Sequence, residues 1–154
     1  MAREELQPTV TWPEVFIGMA QLMSTRSRDP STKVGAILAS PDHRRVITGF
    51  NGFANGLPNY KEWWETRGPS VLSKDTLVRH AEENCFSNLY EDATGWEIYV
   101  THHPCVRCAS LCAHHKLSKV HYLQDVNARY NPHLAKEVLK EAGIPLIQLT
   151  IMPS

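Results

Sequence analysis

No apolar run in this chain approaches the roughly 20 residues needed to span a bilayer, and no membrane partner is expected. Charge of one sign is equally missing. Sixteen basic residues balance sixteen acidic ones, so composition gives no support to a nucleic-acid-binding surface. The opening "MAREELQPTV" lacks the apolar core of a signal peptide, which makes a cytoplasmic location the expectation. Cysteine is scarce. Four residues in a chain that reads as cytosolic, two of them spaced CxxC, point to thiols or metal ligands and away from a disulfide framework. Internal repeats, low-complexity stretches and linkers are absent too. What remains is 154 residues with 42% hydrophobic and 21% charged content, the profile of one globular domain spanning 1–154 and able to bury its own core.

Local patterns predict the elements. Thr11 is a candidate cap for a helix from Trp12 to about Ser27, with Pro13 in the first turn and Val15, Met19, Leu22 and Met23 near helical spacing. "KVGAILAS" and "RVITGF", separated by "PDHR", read as an antiparallel hairpin. Residues 51–69 read as a long ordered loop with a short helix. From His80 onward the pattern alternates: helix Ala81–Tyr90, strand "WEIYVT", helix Cys105–His115, strand "KVHYL", helix Pro132–Ala142 and strand "PLIQL". A hairpin followed by alternating helices and strands implies an α/β sheet covered on both faces.

The chemistry concentrates in "HAEENCF" (80–86) and "HHPCVRCASLC" (102–112). Cys105 and Cys108 stand at i and i+3 in the first turn of a predicted helix, so both sulfurs can face one ion. The helix N-terminus favours their thiolate form. His80 opens a second helix. If the intervening strand brings the two starts together, His80, Cys105 and Cys108 form a three-ligand Zn2+ site with a fourth position left for water. Glu82, two residues past His80, is then placed to exchange a proton beside the metal without binding it. Taken singly, HAE is uninformative and CxxC serves structural zinc knuckles or redox pairs equally well. The ordered combination, with Pro104 before the first cysteine, favours a catalytic zinc. Cys85 and Cys112 are read as core residues, and His102, His103, His114 and His115 as structural.

These two motifs resemble those of the cytidine deaminase superfamily. "RDPSTKVGAIL" followed by "GFNGFANG" is similar to the opening segments of its deoxycytidylate (dCMP) deaminases, as are HAExN, "YVTHHPCVRCA" and the "KEAGIPL" ending, so the likeness runs from about Trp12 to Leu149. The resemblance implies a three-layer α/β/α sandwich with a five-stranded mixed sheet and flanking helices. It also implies hydrolysis of dCMP to dUMP with release of ammonia, one catalytic Zn2+ per subunit, a homo-oligomer, and dCTP or dTTP as effectors in regulated members. On its pattern His80, Cys105 and Cys108 take the zinc positions, Glu82 the proton shuttle, and Asn51 a hydrogen bond to the nucleotide. The amide of Ala81 and a carbonyl in the Thr101–Pro104 turn become partners of the base. Departures are Phe50 for the usual Tyr, Ala54 for Pro, and Glu83 and Cys85 for apolar residues. Ala54 lies in the loop where regulated members hold their effectors.

Other deaminases of this fold, acting on cytidine, guanine or tRNA adenosine, share HAE and PCxxC; the upstream DPSTKVG and GFNG segments separate this chain from them. A zinc-stabilised binding module would have no need of Glu82. For the phosphate of dCMP the cationic candidates are Arg26, Arg28, Lys33 and Arg129, each otherwise an ordinary solvated charge. Arg28 and Lys33 rank first, because in the family their segment lies near the nucleotide. Tyr60, Trp63 and Trp64 are expected either to cover the site or to form a subunit contact.

Overall fold

The computed structural model describes residues 2–151. Thr11 opens helix α1 (Trp12–Ser24): its hydroxyl accepts the Glu14 N–H at 3.3 Å while the Glu14 carboxylate takes the Thr11 N–H at 3.2 Å. That reciprocal cap satisfies amides a helix start otherwise leaves open. The helix stops short of Ser27 because the Ser24 and Thr25 hydroxyls donate to the Gln21 and Leu22 carbonyls at 2.6 and 2.7 Å, offering those carbonyls an alternative to helical N–H donors. Ser27 turns away and donates to the Asn51 carbonyl at 2.9 Å.

Strands β1 (Gly35–Ala39) and β2 (Val46–Phe50) form the expected antiparallel hairpin. On its other edge β1 pairs antiparallel with β3 (Glu97–His102), and β4 (Lys119–Gln124) and β5 (Leu146–Gln148) extend the sheet in parallel, giving the order β2-β1-β3-β4-β5. Alternation along the strands divides the core. Ile37, Ala39 and Tyr99 face α1. Leu38, Ile98 and Val100 face the second helical layer, which consists of α4 (Ala81–Asn88), α5 (Val106–His114) and α6 (Pro132–Glu141). The result is the three-layer α/β/α sandwich around a five-stranded mixed sheet. Among the described residues no helix is long and apolar enough to cross a membrane.

Two glycines set how closely the layers approach. A Cβ on Gly35 would lie 1.9 Å from the Ala20 carbonyl of α1, and one on Gly49 would lie 2.3 Å from the Ala81 carbonyl of α4. Neither helix could seat where it does against a larger residue. The second contact matters for function, since Ala81 lies between His80 and Glu82.

The 51–79 connection holds α2 (Lys61–Glu65), which answers the short helix expected there, and α3 (Lys74–Leu77), which the sequence pattern does not reveal. A 3₁₀ turn at Ala128–Tyr130 is likewise unpredicted. Both are too short for a periodic signal; at the start of α3 the Thr76 hydroxyl accepts the Ser73 N–H at 3.1 Å while the Ser73 hydroxyl donates to the Gly68 carbonyl at 2.9 Å. The connection has a small core of its own. Trp64 stacks on Phe53 at 4.1 Å and donates its indole N–H to Asn59 at 3.1 Å, so Trp64 is buried, whereas Tyr60 is exposed and Trp63 half-buried. The three aromatic residues therefore do not form one surface feature, and only Tyr60 and the edge of Trp63 remain available for a contact.

Candidate active site

Each ligand-bearing helix begins on a ligand. His80 is the N-cap of α4 and Cys105 that of α5, both in extended backbone geometry. The Cys105 sulfur accepts the Cys108 N–H at 3.4 Å, a thiol acting as a cap. Because α4 packs on β1 and β2 while α5 follows directly from the end of β3, the two starts meet. His80 Nδ1 lies 3.4 Å from each sulfur, and the three donor atoms fall within 4.8 Å of one another. Tetrahedral zinc, with Zn–S about 2.3 Å and Zn–N about 2.0–2.1 Å, places sulfur and nitrogen about 3.6 Å apart, so this set fits the ion with little adjustment.

Protonation supports the same fit. The Cys108 thiol and amide together with His80 hold Cys105 far down, at about 3, well below the ordinary thiol range. Cys108 is pushed strongly up, first because its proton is shared with the Cys105 sulfur and then because it is buried. His80 is raised, chiefly by its hydrogen bond with Cys105. Two thiolates in so small a space repel each other, and a divalent cation removes that repulsion and lets both ionise. Glu82 is 4% exposed. Burial raises its carboxyl above the usual range, with nearby His80 opposing. Its oxygens are not among the three donor atoms that lie within 4.8 Å of one another. Cys85 and Cys112 are free and buried, as expected of core residues. His102, His103, His114 and His115 do not join the cluster.

A family model described as the cytidine and deoxycytidylate deaminase zinc-binding region matches residues 10–124. This chain belongs to that deaminase family. Among its relatives, the deoxycytidylate deaminase of Mus musculus is 34% identical over 142 residues, covering 90% of this chain and 80% of the mouse protein. The deoxycytidylate deaminase of Mycobacterium phage D29 is 33% identical over 122 residues, covering 72% of this chain and 93% of the phage protein. The dCMP deaminase of cyanophage S-TIM5, solved in complex with dCMP and dUMP, superposes with a TM-score of 0.72 at 24% identity, covering 94% of this chain and all of the phage chain, 100%. That likeness carries the fold. The matched region of the family model contains all three zinc-ligand positions.

The deaminase has a cavity of about 330 Å³ lined by Arg26, Arg28, Phe50, Asn51, Gly52, Phe53, Ala54, Asn55 and Asn59. Gly52 bridges Arg79 through two backbone hydrogen bonds of 2.8 and 3.0 Å, which fastens the cavity wall to the residue preceding His80. Ala81, the first residue of α4, follows His80 directly.

Asn51 is more committed than its motif suggests. Its oxygen accepts the Val34 N–H at 2.8 Å, and its amide group donates to the Thr32 carbonyl at 2.9 Å and to Asp29 at 3.2 Å. Both amide hydrogens are used inside the protein, leaving one oxygen lone pair unclaimed by these contacts.

The cationic candidates separate clearly. Arg28 lines the cavity, and so does Arg26, which sequence position ranked lower. Lys33 does not line it: its ammonium donates to the Ser27 and Asp29 carbonyls at 2.8 and 3.0 Å and closes the loop on itself. Arg129 stacks over Tyr130 and donates to its hydroxyl at 2.7 Å. Lys74 escaped the sequence reading altogether. It pairs at 2.7 Å with Asp29, a carboxylate 1% exposed, and no local pattern marks two residues 45 positions apart as partners.

Proposed function

We propose that this chain is a zinc-dependent dCMP deaminase that hydrolyses dCMP to dUMP and ammonia, with His80, Cys105 and Cys108 as the ligands of one ion and Glu82 as the proton carrier. The observation that carries the proposal is the pairing of a His/Cys/Cys cluster of tetrahedral dimensions with a buried carboxyl outside the ligand set. The ion, when bound, supplies Lewis acidity at the open side of the three donors. Glu82, its affinity for protons raised by burial, takes a proton from water and delivers protons to N3 of the cytosine and to the departing amino group. Water adds at C4, the C4–N4 bond breaks, and one water is consumed for each ammonia released. The Ala81 amide and a carbonyl of the Thr101–Pro104 turn orient the base edge.

The phosphate is assigned to Arg28 and Arg26, whose guanidinium groups give the cavity its cationic wall. Residues 1–154 are proposed to act as one catalytic domain, a reading supported by the single sheet that separates both cores. A homo-oligomer, which the family resemblance implies, is supported by the exposed apolar residues Tyr60, Val71 and Leu72. Ala54 is exposed on the cavity wall where the family pattern has Pro. The freer backbone this allows weighs against dCTP or dTTP being held there as an effector. Ammonia release from dCMP, deoxycytidine, cytidine, adenosine and a tRNA stem-loop tests the proposal: dCMP should exceed deoxycytidine at least tenfold in kcat/KM, and equal use of nucleoside and nucleotide would refute the phosphate-dependent reading.

A further inference from the structure

Glu83 on α4 and Arg107 on α5 form an ion pair between the two helices, and neither belongs to the ligand set. Glu83 is 17% exposed and uses both oxygens. Oε1 accepts the backbone N–H of His80 at 3.0 Å, which fixes the ligand's own main chain at φ −71° and ψ 155°. Oε2 accepts from Arg107 at 2.9 Å. Arg107 sits between the two cysteine ligands on α5. Outside the metal-binding pocket, this is the polar side-chain tie between α4 and α5 among the described residues. One carboxylate thus touches the backbone of the His ligand and a side chain from the CxxC segment at once.

We propose that Glu83 and Arg107 are a positioning pair that sets the distance between the His ligand and the two Cys ligands, and thereby how tightly the centre retains its metal. This rests on the zinc-site reading above. The effect acts through geometry. A three-donor centre tolerates little displacement, and loss of groups that orient metal ligands typically lowers metal affinity about 10- to 100-fold. Because Arg107 is 73% exposed, the lower end is expected.

Zinc release to a chelator and the d–d absorption of the Co2+-substituted protein provide the test, applied to the wild type, Glu83→Ala, Arg107→Ala, the double variant and Arg107→Lys. The expected result is roughly tenfold faster release in each single variant, no further acceleration in the double variant, partial recovery with lysine, and a shifted Co2+ spectrum. Arg45→Ala, which breaks the exposed Arg45–Glu91 pair at 3.1 Å, should leave all readouts unchanged. Wild-type retention in Arg107→Ala, or additive effects in the double variant, would overturn the pair and reduce Glu83 to a simple helix cap. A wild type that takes up no stoichiometric zinc would overturn the zinc reading itself, a separate outcome.

Discussion

Replacing Lys74 with Met should cost more than any other charge removal outside the catalytic centre. The Lys74 ammonium meets Asp29 at 2.7 Å, with the lysine side chain 20% exposed and the aspartate 1% exposed. Methionine keeps most of the stem's volume but leaves the carboxylate buried without its counter-charge. Removing one partner of a buried pair typically costs about 3–5 kcal/mol, because the remaining charge stays desolvated. Asp29 retains hydrogen bonds from Ser31 N at 2.8 Å, Thr32 N at 3.2 Å and Asn51 Nδ2 at 3.2 Å, and the Lys74 side chain is 20% exposed, so the pair is not fully shut off from solvent. Both features lower the expected loss to about 2–3 kcal/mol. For a domain of this size that corresponds to a fall in Tm of about 4–12 °C, measured by calorimetry and by urea denaturation at constant m. Asp29→Asn should cost less, because the freed lysine can reach solvent, and the double variant should be no worse than Lys74→Met alone. Asp29 also braces the segment that carries Arg28, so KM for dCMP should rise with the instability. A loss below about 1 kcal/mol in Lys74→Met, or strict additivity in the double variant, would refute this account of the pair.

Metal analysis of purified variants separates the roles at the centre: His80→Ala and Cys105→Ser should lose zinc and activity together, whereas Glu82→Ala should keep zinc and lose about 10²–10⁴-fold in kcat. Zinc loss in Glu82→Ala would make it a ligand. Arg28→Ala and Arg26→Ala should each narrow the preference for dCMP over deoxycytidine by roughly ten- to a hundredfold, while Lys33→Ala should lower Tm and leave that ratio unchanged; kcat/KM for both substrates decides between the two. His121 is buried, stacks on Tyr99 at 4.2 Å and has its proton affinity lowered by burial. The unfolded chain therefore takes up a proton near pH 6.5 that the folded chain resists. The stability this group provides is complete above that pH and is lost as pH falls through it. His121→Gln should flatten this slope in urea titrations, and an unchanged slope would assign the acid sensitivity to other groups.

The zinc centre was legible in one dimension because its determinants are local. His80 and Cys105 each start a helix, Cys108 lies one turn further on, and Glu82 follows its ligand by two residues, so spacing and capping chemistry encode nearly all the geometry. Which helical layer each strand residue faces was settled by the fold, since β1 is apolar and buried along its whole length. The surroundings of the centre were decided only by tertiary contacts. Arg26, Arg28 and Lys33 are similar cations in one short segment, and sequence alone could not see that neighbouring carbonyls would claim the Lys33 ammonium while both arginines faced the cavity. Trp64 looked like Trp63 until Phe53 stacked on it. Asn51 lies in the GFNG segment that the resemblance assigns to the nucleotide, yet Val34, Thr32 and Asp29 take most of its hydrogen-bonding capacity. The Asp29–Lys74 pair joins residues whose sequence environments contain no trace of each other. Helix caps and ligand spacing are satisfied within a few residues and leave a pattern, whereas the partner of a buried charge, amide or ring is chosen by whatever the fold brings within about 3–4 Å.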